Sequence, residues 1–586
     1  MTNTQQLRWW GILAVIVLAA AGLLALDLAT HGLVWRTFWS LTGEEQPLAQ
    51  IRGMVEWLGN FTRLQPRTDP LTPIDHAWEN PYGINTFLQQ EVEVPKIERE
   101  LQMIHEAGFY WLRQEFPWAD IEVDGRGKFS DSRNDLNGDG KPDTVDAWAK
   151  YDRIVGLVEK YGLHLQVRLS SPPKWAQTAP GAFAPPGDVQ DYVNYAVAVA
   201  QRYKGRILYY QVWNEPNIYP EWGEQAVNPE AYTDLLCRTY RALKAVDPNI
   251  VVISGALAPT VSLTGRDLSD FIFLQRMYDA GAGACFDILS QQGYGLNSGP
   301  TDHRMRPTTI NYGRNQYIRD LMIANGDARK AMWISEAAWN AIPDDPGITG
   351  YGQYGIVTQE QAARYMPIAY QRAQQEWPWV GVINYWFFTR PSNAEQKQAS
   401  YYFRMVEPDY SADKPDFTPL PVYNAVKDYI HSQTPTLYTG VHQAEDWRIT
   451  LPSDAIVYKN APEADFGRYV HTREVSFIAY GTDIIVRWEG ETPPEVEVDN
   501  EKSSYWISHS MYEGSSSRFQ STLVHSFLTQ NYQVHISGFG ESSIAIYAIT
   551  ILDRSFENIF PLAAVGVALA VFALWVIVRA WQERRR

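Results

Sequence analysis

From about Pro81 to Ile430 short apolar runs alternate with amphipathic segments, and no other feature of this 586-residue chain narrows its fold so far. "YGINTFL" is followed by "VPKIERELQMIHEAG" and then by "FYWLRQEFPW"; "WAKYDRIVGLVEKYG" leads to "LHLQVRLSS", and "VQDYVNYAVAVAQRY" to "ILYYQVW". The alternation continues through "IVVISGAL", "FDILSQQGYG", "AMWISE" and "VGVINYWFF", and ends on the helix pattern "LPVYNAVKDYI". Repeated βα units demand parallel strands, and eight of them over about 350 residues close as a barrel. A doubly wound open sheet is the alternative. No glycine-rich phosphate loop follows any run, which favours the barrel.

After about Gln433 the texture changes. "EVSFIAYGTDIIVRWEG", "PEVEVDN", "NYQVHISGF" and "SSIAIYAITIL" are alternating strands separated by Gly, Asn and Ser turns. Outside both regions lie two long apolar runs, Trp9 to Leu26 and Ile559 to Val578, each close to the roughly 20 residues that cross a bilayer core. Arg579 and Arg584 to Arg586 follow the second run and belong on the cytoplasmic side by the positive-inside rule. A cleaved signal peptide is the rival for the first run; its length and its Trp pair suit an anchor better.

The expected fold is therefore α/β: a (β/α)8 TIM barrel at 80–432 followed by a jelly-roll-like β-sandwich at 433–555. Residues 1–29 form an N-terminal transmembrane anchor, 30–79 a stalk or collar, and 556–586 a C-terminal transmembrane helix with a basic tail. Both termini would face the cytoplasm and the catalytic domain would be extracytoplasmic, with the lipid bilayer as a partner. A formal charge of −17 argues against nucleic acid and other polyanionic partners, because like charge repels them. The two cysteines, Cys237 and Cys285, make no disulfide framework and no metal cluster; buried thiols are the expectation and one bridge the alternative.

In a βα barrel the active site lies at the C-terminal ends of the strands. Arg113 follows the second run, Trp175 the third, Asn214 and Glu215 the fourth, Tyr294 the sixth, Glu336 the seventh and Trp386 the eighth. One Glu at a strand end is ordinarily a solvated turn residue. Two facing each other across one mouth are the minimum apparatus for glycoside hydrolysis: an acid for the leaving oxygen and a carboxylate for the anomeric carbon.

"WNEPN" at Trp213 to Asn217 and "WISEAAWN" at Trp333 to Asn340 resemble the acid/base and nucleophile motifs of clan A glycoside hydrolases, most like family 39 and next family 5. The likeness spans the barrel. It implies a retaining enzyme with Glu215 as acid/base and Glu336 as nucleophile. It further implies that Asn214 holds a sugar hydroxyl, that Arg113 and Tyr294 contact the nucleophile, and that Trp386 is the platform under the sugar. Trp175 is an aromatic subsite wall or a core residue. The family often carries His two residues before the sixth-strand Tyr, whereas here Gln292 stands there. The substrate is an oligo- or polysaccharide, and catalysis needs no cofactor. Two alternatives use the same barrel: a transglycosylase, and a retired glycan-binding or envelope protein.

"DLNGDGKPDTVD" is a separate feature. Asp135, Asn137, Asp139, Asp143 and Asp146 fall at positions 1, 3, 5, 9 and 12 of a calcium loop, with Gly140 at 6 and the Lys141 carbonyl at 7. It resembles dockerin-type loops and predicts a structural calcium. A solvated acidic insertion is the alternative.

Overall fold

The computed structural model comprises two compact units, Met1–Thr68 with Asn80–Ala373 and Val380–Ser432, and Asp69–Glu79 with Gln374–Trp379 and Gln433–Arg586. Residues 3–135, 138–409, 416–499, 501–503, 508–511 and 518–583 are described.

The first unit is built on eight parallel strands: β1 Tyr82–Thr86, β2 Trp111–Pro117, β3 His164–Ser170, β4 Tyr209–Val212, β5 Val251–Ile253, β6 Leu289–Gln292, β7 Met332–Ala337 and β8 Val380–Tyr385. Their order is β5-β4-β3-β2-β1-β8-β7-β6. The two ends of that order meet: Ile253 bridges Ile288, Leu257 bridges Gln291, and the Ser254 N–H donates to the Ile288 carbonyl at 3.0 Å. The sheet is thus a closed βα barrel, as the alternation predicts.

Between strands the helices start where caps are available. Asp188 accepts the N–H of Gln190 before Val189–Arg202, and Asn228 accepts that of Ala231 before Pro229–Val246, whose proline occupies the first turn. Each buries one face, for example Tyr232, Leu235, Leu236 and Leu243 of the second. Cys237 on that helix is joined to Cys285 by a disulfide, with Cα atoms 4.7 Å apart. Free thiols are therefore not what the fold makes of this pair: helix packing brings residues 48 positions apart within bridging distance.

Within the first unit, residues 33–58 are tied to the loop after β6 by charge. Helices Leu33–Thr42 and Pro47–Leu58 flank Arg304, whose guanidinium reaches Glu44, Glu56 and Asp302 at 2.7–2.9 Å. This arginine is almost wholly buried, so the three carboxylates replace its water.

The second unit holds β9 Arg468–Thr472, β10 Glu474–Glu489, β11 Glu495–Val498, β12 Arg518–Ser537 and β13 Ile544–Leu552 with shorter strands. All belong to one ten-stranded, almost wholly antiparallel sheet. The strands of the expected sandwich are joined because β10 and β12 run on through a register shift. Glu474–Gly481 pairs with Gln530–Ser537, and after a register shift at Gly481 the strand pairs with Arg518–His525 and with β13. Ile484, Val486, Trp488, Val534, Ile546 and Ile549 form part of the core. Helices Asn3–Ala29 and Ser555–Glu583 contain stretches of 20 and 26 residues, Trp10–Ala29 and Ser555–Ala580, long and apolar enough to cross a membrane.

Candidate active site

A buried cation organises the barrel mouth. Arg113 is the third residue of β2, not a residue beyond it, and its side chain carries the charge up through the interior. Nε donates to Gln211 Oε1 of β4 (2.7 Å), Nη1 to Asn85 Oδ1 of β1 (2.7 Å) and to Glu336 Oε1 of β7 (2.9 Å), and Nη2 to Asn214 Oδ1 (2.7 Å). A guanidinium removed from water requires this many acceptors. Burial lowers its pKa and the Glu336 charge opposes that. Asn85 is fixed in turn, donating to the carbonyls of Ser335 (2.9 Å) and Tyr385 (3.1 Å).

Glu336 is 4% exposed, and its second oxygen accepts from the Tyr294 hydroxyl at 2.7 Å. Burial, then the charges of Glu336 and Glu215, push that hydroxyl well above the usual tyrosine range, so Tyr294 remains a donor. Donors thus hold both oxygens of Glu336.

Glu215 meets the opposite surroundings. Trp213 (φ 75°) and Glu215 (φ 40°) are both left-handed, a costly conformation for such side chains, on the order of 1–3 kcal/mol each. They turn the chain sharply out of β4. The turn is pinned by the Glu215 N–H on the Ala256 carbonyl (2.8 Å), the Trp213 indole N–H on the Glu221 carbonyl (2.8 Å), and Asn217, which bonds both ways to Ala258 at 2.9 Å. Burial pushes the Glu215 carboxyl well above the usual carboxylate range, and the charges of Glu336 and Glu221 push the same way. Its hydrogen-bond partner is Gln292, whose Nε2 donates at 3.1 Å. Gln292 stands where the family's pattern often has His, and so touches the candidate acid. Its Oε1 is buried with no partner. Rotating the amide presents that oxygen to the carboxyl once Glu215 carries a proton.

A third carboxyl, Glu221, has no signal in the sequence: "YPEW" reads as an exposed turn. The fold leaves it half-buried, and desolvation lifts its pKa to about 7 against Arg168, with Glu115 and Glu336 adding to the rise. Asn214 donates to it. The Asn214 amide is therefore held at both ends, Oδ1 by Arg113 and Nδ2 by Glu221, and among the described residues its second N–H meets no further acceptor. Arg168 pairs with Glu115 at 2.6 Å, and the Ser170 and Ser171 hydroxyls complete that carboxylate at 2.6 Å each.

Arg113, Asn214, Tyr294 and Glu336 are thus in direct contact, and Glu215 faces them through Gln292. Trp386 is half-buried at the end of β8, edge-on to Phe87 with centroids 5.5 Å apart. Trp175 donates to the Glu122 carbonyl (2.8 Å) and meets Trp118 edge-on. Among the described residues neither indole bonds to Glu215 or Glu336. Tyr354, on the loop after β7, feels the charge of both carboxylates and packs on Phe403, as Tyr294 does. Like Glu221, it lacks a motif that would single it out.

In the acidic loop Asp135 turns inward, accepting the N–H groups of Gly138 (2.7 Å), Asp139 (3.2 Å) and Gly140 (2.7 Å). Asp146 accepts that of Trp148. The donors are all oxygen, as a hard cation needs, but among the described residues no three carboxylates gather around a point. Asn137 lies outside the described residues.

No protein-family model matches the chain, and no curated protein does. Solved structures with a similar architecture include a family 39 glycoside hydrolase from Bacteroides cellulosilyticus WH2, at 15% identity, 80% of this chain, 83% of that one and a TM-score of 0.44. A monomeric beta-xylosidase from Caulobacter crescentus CB15 has 12% identity over 81% and 98% of the two chains, with a TM-score of 0.40. A GH30 endoxylanase from Clostridium papyrosolvens C71 has 11% identity over 81% and 99%, with a TM-score of 0.37.

Proposed function

We propose that this chain is a membrane-anchored, extracytoplasmic retaining glycoside hydrolase that cleaves β-O-glycosidic bonds by double displacement. One observation carries this: two carboxyls share the barrel mouth, one held by Arg113 and Tyr294, the other pushed toward its protonated form. A carboxyl whose surroundings favour its protonated form suits the acid, and the carboxyl oriented by two donors suits the nucleophile.

Glu336 attacks the anomeric carbon as the bond to the leaving oxygen breaks, and Glu215 delivers its proton to that oxygen. A glycosyl ester on Glu336 results. Glu215, now a base, takes a proton from water, which attacks the anomeric carbon and releases Glu336. Asn214 offers its remaining N–H to a hydroxyl of the bound sugar, and Trp386 is the platform beneath it. The β configuration rests on the motif resemblance.

The two apolar helices and the basic residues after the second support anchoring, and the Cys237–Cys285 bridge suits an oxidising compartment. Proton NMR of the first-formed product on an aryl β-glycoside tests the chemistry: retention is expected, and inversion contradicts it. Protease added to intact cells tests sidedness; a fully protected barrel rules out the outward topology.

A further inference from the structure

The second unit carries a cavity of about 460 Å³, within the roughly 300–1,000 Å³ of small-molecule sites. Its floor is one face of three adjacent strands. Ser476 of β10 and Glu497 of β11 stand on either side of His535 of β12 in register, and Gln533 faces Ile478 two residues along. Alternate residues share a sheet face, so these point together while Val475, Phe477, Val496 and Val534 fill the core behind them.

The wall is the segment Trp447–Thr450, tied to the floor by the Thr450 N–H on the Ser476 carbonyl at 2.8 Å. Arg448 in that wall is 9% exposed and grips Asp446 through Nε (2.7 Å) and Nη2 (2.5 Å). Its Nη1 meets no acceptor among the described residues, so a donor of this cavity-lining side chain is open to a ligand.

The lining combines donors in Arg448 and Gln533, an acceptor in Glu497 and the aromatic Trp447. Sugar hydroxyls both donate and accept, and sugar C–H faces pack on rings, so a pyranose satisfies all of them. An apolar ligand strands the polar groups. An anion meets Glu497, while Asp446 already neutralises Arg448. We infer that this cavity is a second glycan site, taking one or two residues of a neutral oligosaccharide. The inference rests on the glycosidase reading only for its choice of ligand class.

The test uses the detergent-solubilised full chain carrying Glu336→Gln, titrated calorimetrically with neutral xylo-, cello-, manno- and galacto-tetraoses and with trigalacturonate. Two sites per chain are expected for a neutral tetraose, and Gln533→Ala or Trp447→Ala should weaken one of them at least tenfold. Gln533 is exposed, so its variant folds even where the Trp447 variant does not. A single site untouched by Gln533→Ala, no binding at all, or preferential uptake of trigalacturonate at this wall overturns the inference. The enzyme reading fails separately, if wild type and Glu336→Ala are equally inert on aryl glycosides while Gln533-dependent binding persists.

Discussion

The ends of β7 and β4 present the same side chain to one cleft and treat it in opposite ways. At β7, Glu336 accepts from a cation and a phenol, at 2.9 and 2.7 Å. Past β4, Glu215 has one amide, and its strongest charged neighbours are two other carboxylates. In the proposed mechanism the first surroundings orient the carboxyl that attacks, and the second favour a proton kept ready for delivery. The roles proposed for the two carboxyls thus rest on what stands beside each Glu, and much of that comes from strands distant in sequence.

The largest break in this comparison is removal of the gripped carboxylate. Glu336→Ala should cut kcat by about 10⁴- to 10⁶-fold on every substrate, measured with aryl glycosides of differing leaving groups. Glu215→Ala should cost about 10²- to 10⁴-fold on poor leaving groups and much less on good ones, which need little protonation. Equal losses across that series would reverse the assignment.

A subtler change removes one charge from the β4 side. The Glu221 anion raises the Glu215 pKa, so Glu221→Gln should lower it. Activity falls as pH rises through the acid's pKa, and the basic limb of kcat/KM should therefore move to lower pH in that variant. A limb that stays in place means Glu221 acts only through the fold. The smallest effect concerns the loop at 135–146: if it takes calcium, chelator lowers Tm by about 2–4 °C, and an unchanged Tm leaves it an acidic insertion.

The barrel was legible because its periodicity is repeated eight times, and Glu215 and Glu336 because strand ends are fixed points of that repeat. Their neighbours were legible unevenly. Tyr294 and Asn214 sit beside recognisable motifs, whereas Asn85 and Gln211 are single polar residues inside apolar runs, and only closure of the barrel aims them at Arg113. Glu221 is polar in a proline-containing turn, the usual profile of an exposed residue, and only the folded chain sets it beside Asn214. The disulfide escaped for a similar reason: two cysteines 48 positions apart carry no spacing signal. In the second unit alternation identified strands but not their partners, so the register shift within β10 was invisible.

The assignment is tested most directly by trapping the covalent intermediate. A 2-deoxy-2-fluoro-β-glycoside with a good leaving group slows both steps and the second more, and proteolysis with mass spectrometry then locates the sugar. The peptide containing Glu336 should carry it, and carry none in Glu336→Gln. A sugar on Glu215, or on neither residue while the compound is turned over with inversion, contradicts the account.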